Sequence, residues 1–124
     1  MEFVKTDKAP AAIGPYSQAV KINGLVYTSG QIALRPDGSM VGDDVVAQTE
    51  QVFENLRAVL NEAGSSLDRV VKVMAFVYDI EDFAVVNEIY AKAFGAHKPA
   101  RSLVAAKTLP KNALVEIEVI AVCN

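Results

Sequence analysis

Few residues in this 124-residue chain have side chains suited to chemistry, and most standard constellations fail on count alone. There is one histidine, His97, and one cysteine, Cys123. A Ser-His-Asp or Cys-His pair would have to use His97, which lies in a Gly-Ala-His-Lys-Pro segment where a solvated loop ring is the plainer expectation. One residue of each kind cannot assemble a zinc cluster of ordinary ligand number, so no metal is expected. No glycine-rich phosphate loop is present. Cys123 lies at the very end of the last strand, where burial or fraying explains a thiol better than nucleophilic work.

Three other residues are more informative. In the run Leu114–Val122, Glu116 and Glu118 fall on the face of Ile120 and Val122, while Val115, Ile117, Val119 and Ala121 fill the other face. Two carboxylates thus share a partly apolar face, although pattern alone favours a solvent-wetted strand face. Arg101 opens a strand just after Pro99, and its plain reading is a surface ion pair. A guanidinium close to a carboxylate on such a face would nevertheless suit a small anion, because arginine grips a carboxylate through two parallel N–H donors.

The elements that must position these residues follow from periodicity. Asn23-Gly24 between Ala19–Ile22 and Leu25–Thr28 predicts a hairpin, and Pro36-Asp37-Gly38 a second tight turn. From Asp43 apolar residues recur at three- and four-residue steps to Ala63, which predicts an amphipathic helix capped by Asp43 or Asp44 and stopped by Gly64. Arg69–Tyr78 reads as a strand with Val71, Val73, Ala75 and Val77 on one face and Val70, Met74, Phe76 and Tyr78 on the other. A second helix is expected from Ile80 to Phe94, with Asp79 and Asp82 placed like a capping box. A short strand over Arg101–Ala106, a turn at Leu109–Asn112 and the strand Leu114–Val122 complete the order. The expected fold is α+β, with two helices covering one face of a mostly antiparallel or mixed sheet. The apolar second face then calls for a partner subunit.

Composition bounds the function. With 52% hydrophobic and 22% charged residues the chain can bury a core, and its length fits one domain over residues 1–124. A net charge of -3, with 12 Lys and Arg scattered singly, leaves no basic track for nucleic acid or an anionic membrane. The lack of an apolar targeting or spanning run and the single cysteine point to a cytoplasmic protein.

Several motifs carry a family resemblance: Ala9-Pro10-Ala11-Ala12-Ile13-Gly14-Pro15-Tyr16-Ser17-Gln18-Ala19, Tyr27-Thr28-Ser29-Gly30-Gln31-Ile32, Val86-Asn87-Glu88-Ile89-Tyr90, Pro99-Ala100-Arg101-Ser102 and Leu109-Pro110 followed by Val115-Glu116-Ile117-Glu118-Val119-Ile120-Ala121-Val122. Together they resemble the RidA/YjgF (reactive intermediate deaminase) family across essentially the whole chain. The resemblance implies a chorismate-mutase-like fold and a homotrimer with sites at the subunit interfaces. It also implies cofactor-free hydrolysis of enamine/imine carboxylates, of the 2-aminoacrylate and 2-aminocrotonate type, to 2-keto acids and ammonia. Such an enzyme is a 2-iminobutanoate/2-iminopropanoate deaminase, acting in metabolite damage control behind pyridoxal-phosphate dehydratases. Carried over by position, Arg101 matches the arginine that holds the substrate carboxylate and Glu116 the glutamate that directs water. Tyr16, Ser29, Gly30 and Asn87 match pocket positions. Leu103 stands where many members have cysteine, so that position would contribute backbone groups to the substrate pocket. The alternatives are a non-catalytic trimer that senses a small carboxylate, and the RNA-cleaving or chaperone-like roles attributed to some relatives.

Overall fold

The computed structural model describes residues 1–124. The chain runs β1 (Glu2–Val4), β2 (Ala19–Ile22), β3 (Leu25–Thr28), α1 (Val45–Glu62), β4 (Val70–Val77), α2 (Phe83–Phe94), β5 (Ala100–Ala105) and β6 (Val115–Val122). The six strands form one mixed sheet in the order β1-β2-β3-β6-β4-β5. Only the β4–β5 pair is parallel, since α2 carries the chain back between them. Both helices lie on one face, as expected for this α+β arrangement.

Local chemistry accounts for most boundaries. Asn23 and Gly24 both adopt left-handed φ, 53° and 76°, so the two-residue loop matches the twist of the strands it joins. Helix α1 starts where the Asp44 carboxylate accepts the Ala47 N–H at 3.1 Å, which settles the choice of cap. It ends before Gly64, whose φ of 79° a side chain would resist. Val52, Phe53, Leu56, Val59 and Leu60 of α1 pack with Val86 and Phe94 of α2 onto the inner sheet face. Each fully buried side chain of this size stabilises the fold by about 1.5–3 kcal/mol.

Strand β4 departs from the expected alternation. Val70 pairs with Ala121 and Lys72 with Ile120, so Val71 is an extra residue bulged out of the ladder. Val70 is 1% exposed in the core and Val71 is 45% exposed, the reverse of the expected faces. Beyond the bulge the expectation holds: Val73, Ala75 and Val77 face the helices, and Met74 and Phe76 the open side. The start of α2 also differs. Asp79 caps a short 3-10 turn, Ile80–Asp82, by accepting the Glu81 N–H at 2.9 Å, and Asp82 makes no capping bond. No capping box forms, and α2 begins at Phe83. The short strand β1, antiparallel to β2, was not singled out in the sequence.

The face of the sheet away from the helices carries Tyr27, Met74, Phe76, Val104, Ile120 and Val122, with Glu116 and Glu118 among them. Tyr27, Met74, Val104 and Val122 are exposed.

Candidate active site

Glu116 sits on β6 opposite Phe76, on the open face. Beside it the sheet is extended by a two-bond bridge, the Gln31 N–H donating to the Ile117 carbonyl at 2.8 Å and the Ile117 N–H to Gln31 O at 3.1 Å. This bridge lays Gly30 against the Glu116 side chain: a β-carbon at Gly30 would stand 2.6 Å from Oε2, so any larger residue displaces the carboxylate. Pro10, Ile13, Tyr16 and Pro110 close the recess around it. The Glu116 carboxylate has no hydrogen-bond or ion-pair partner within the chain. Burial, and secondarily the charge of Glu118, raises its pKa above the ordinary 4.5.

Ser29 and Tyr16 belong to the same half of the site by different means. The Ser29 hydroxyl donates to the Ser17 carbonyl at 2.5 Å and its N–H to Gln18 O at 2.9 Å, so Ser29 fastens the loop that carries Tyr16. The Tyr16 ring is half exposed and walls the Glu116 recess. Gln18, missed in the sequence, is 4% exposed and anchors the same loop: its Oε1 accepts the Thr6 N–H at 2.7 Å and its Nε2 donates to Pro10 O at 2.8 Å. A glutamine among polar loop residues breaks no periodicity, so no sequence signal marked it.

Arg101 begins β5 at the edge of the sheet, opposite Val73. That pairing turns its side chain to the helix side, where Nη1 donates to Asn87 Oδ1 at 2.7 Å. The guanidinium carbon lies 4.7 Å from the centroid of the Tyr90 ring and 5.7 Å from that of Phe83. No carboxylate is within ion-pair distance, which replaces the surface ion-pair reading; the chain's one salt bridge joins Lys21 to Glu2. Leu103 lies on the same face, two residues on, and packs against the core. Neither Tyr90, which lies within the Val86–Tyr90 motif, nor Phe83 was assigned to the site from the sequence, because both fit the apolar period of a helix.

The structure therefore brings together Tyr16, Ser29, Gly30 and Glu116 in one group and Asn87, Arg101 and Leu103 in another, and does not join the two within one chain. Arg101 pairs with the inward Val73, Glu116 with the outward Phe76, and strand β4 lies between them. His97 is not a free loop ring: its Nε2–H donates to the Val70 carbonyl at 2.6 Å, and the ring lies against Phe94. It is spent on the β4 bulge. Cys123 is buried, as expected.

Fold and site together define a class: a small α+β protein that offers an unpaired guanidinium on one side of a sheet and an unpaired carboxylate on the other. Residues 6–123 match the family described as Endoribonuclease L-PSP. An Arabidopsis thaliana protein named Reactive Intermediate Deaminase A, chloroplastic, is 50% identical over 97% of this chain and 65% of its own length. A Lactococcus lactis protein named for a regulatory role, AldR, is 53% identical over 98% of this chain and 97% of its own length. The crystal structure of Escherichia coli TdcF with bound serine superposes with a TM-score of 0.94 at 40% identity, covering 100% of both chains. The chain belongs to this family, that of RidA/YjgF and the reactive intermediate deaminases. Membership supports a deaminase role in general terms.

Proposed function

We propose that this protein hydrolyses the imines of small 2-amino acids, of the 2-iminopropanoate and 2-iminobutanoate type, to 2-keto acids and ammonia, at sites shared between subunits of a homotrimer. The observation that carries this reading is that Arg101 and Glu116, the two groups the reaction needs, are each free of a counter-charge within the chain. A guanidinium without a carboxylate neighbour is open to a substrate carboxylate, and its planar fork suits that partner. The serine bound to TdcF, itself a small amino-acid carboxylate, is in keeping with such a ligand.

The chemistry asks for little. An imine carbon is already electrophilic, so the protein must hold the carboxylate, orient one water and move protons. Arg101 holds the carboxylate, and Glu116, when ionised, takes a proton from water as the water oxygen bonds to the imine carbon. That proton passes to the former imine nitrogen, and the hydroxyl proton of the resulting carbinolamine follows it through Glu116 as the C–N bond breaks, so that ammonia leaves carrying both hydrogens of the water and the carbonyl of the keto acid forms. Gly30 leaves room for the Glu116 carboxylate, Ser29 holds the Tyr16 loop, and Tyr16 shapes the wall. Leu103 in place of cysteine leaves the clamp chemistry intact and offers no thiol beside it.

The opposed directions of Arg101 and Glu116 support the assembly. One copy's Arg101 edge meeting another copy's open face would complete a site and cover the exposed apolar residues of that face. A cytoplasmic location and action without a cofactor or nucleic acid complete the reading. The open face, with Glu116 and Glu118, offers RNA no basic track.

The name of the Lactococcus relative favours one second reading, a trimer that senses a small carboxylate without turning it over. One experiment decides. Arg101→Ala should lose about 100-fold or more in kcat/KM and pyruvate binding with it, whereas Glu116→Gln should lose turnover and keep pyruvate binding. Measured by coupled keto-acid formation and by calorimetry, wild-type pyruvate binding without imine hydrolysis above the uncatalysed rate would establish the sensor instead.

A further inference from the structure

The surroundings of Arg101 hold more than the clamp. A long, flexible arginine at a sheet edge would ordinarily sample many rotamers, and ordering it on binding costs free energy. Here three side chains of one helix hold it before any ligand arrives. Phe83, Asn87 and Tyr90 stand at four- and three-residue steps on α2, one face of a helix, and all three approach the guanidinium. Asn87 takes Nη1 at 2.7 Å, and the Tyr90 and Phe83 rings lie 4.7 and 5.7 Å from the guanidinium carbon.

Tyr90 is itself held in place. Its ring packs edge-on against Phe53, at 6.0 Å between centroids, and lies 4.7 Å from Phe94. Its hydroxyl is buried and makes no hydrogen bond, so nothing in the chain uses the oxygen. What the position supplies to its neighbours is the ring. Burial also keeps the phenol above its ordinary pKa of 10.0, so it stays neutral beside the cation.

We infer that Tyr90 and Phe83 form an aromatic platform that presets the Arg101 guanidinium, with Asn87 fixing its rotation so that the Nε–Nη2 edge is presented to the substrate carboxylate. Tyr90 and Phe83 are positioning residues, and Asn87 acts through Arg101 rather than on the substrate. The inference rests on Arg101 being the carboxylate clamp. Its signature is an effect on affinity and not on the chemical step, because the platform touches neither water nor the imine carbon. Tyr90→Phe keeps the ring and should remain within about 2-fold of wild type, while Tyr90→Leu should raise both the pyruvate Kd and the imine KM about 10-fold with kcat little changed.

The test measures pyruvate binding by calorimetry, imine turnover, and the Arg101 Nε–H resonance, which a ring above the guanidinium displaces. The displaced resonance should appear in wild type and Tyr90→Phe and move in Tyr90→Leu. Since the Tyr90 ring also packs against Phe53 and Phe94, Phe83→Leu, at a more exposed ring, is the safeguard: it should weaken pyruvate about 3-fold in a fully folded protein. Tyr90→Leu or Phe83→Leu binding pyruvate as wild type does, or Tyr90→Phe failing as badly as Tyr90→Leu, would overturn the platform. A wild-type protein that shows the displaced resonance yet binds no pyruvate would overturn the clamp, and the two failures are thereby told apart.

Discussion

Glu116 lies in a recess that partly buries its carboxylate, and Glu118 adds a like charge from the same strand face. Both effects favour the protonated acid, and a base must be ionised to accept a proton, so kcat/KM should fall as pH drops through a value above 4.5. Glu118→Gln removes one of the two causes and should move that acidic limb to lower pH, with turnover at neutral pH within a few-fold of wild type. The same displacement bears on stability. A carboxyl whose pKa is raised by folding supports the folded state below its unfolded value, and that support is lost as pH rises through the folded value. Glu116→Gln should therefore melt higher than wild type at pH 7, and the gain should vanish below pH 4.5. A pH–rate profile and melting curves of the three proteins check both statements. At this scale the strand positions of Arg101 and Glu116 were legible, because residues at motif positions are countable along a chain. Tyr90 was not: a ring that stacks on a cation and a ring that fills a core occupy the same helical period.

Among the elements, the hairpin and α1 could be read from sequence because each is marked by residues with a local conformational cost, Asn23-Gly24 in one case and Asp44 with Gly64 in the other. The β4 bulge could not. Val70 and Val71 are the same residue type, and alternation counted along the chain has no means of showing that one of them is surplus to the ladder. The buried amides were hidden for a similar reason. Asn55 Nδ2 donates to the Leu34 carbonyl at 2.8 Å, and Gln48 Oε1 accepts the Leu114 N–H at 2.9 Å, yet each sits inside α1 as a polar residue of ordinary helical character. The bulge makes a definite prediction. Removing Val71 leaves Val70 inward, Lys72 outward and Val73 inward, a regular strand, and should leave a cooperatively folding protein. Removing Met74 instead turns part of β4 inside out and should abolish folding. Circular dichroism and thermal melts of the two single-residue deletions separate them.

For the whole molecule, the arrangement that matters is that one sheet points its guanidinium and its carboxylate in opposite directions. A copy with Arg101→Ala still has a sound Glu116 half, and a copy with Glu116→Gln still has a sound Arg101 half. If the sites form between neighbours, mixing the two inactive proteins and allowing subunits to exchange should restore about a quarter of wild-type activity at equal amounts. Light scattering should show three-chain particles throughout. Persistent inactivity of a verified mixed trimer would place both groups of each site in one subunit. The result carries over to heredity. Either allele alone should behave as a null, whereas a cell bearing both on separate gene copies should grow as though partly wild type, each defect masked by its partner.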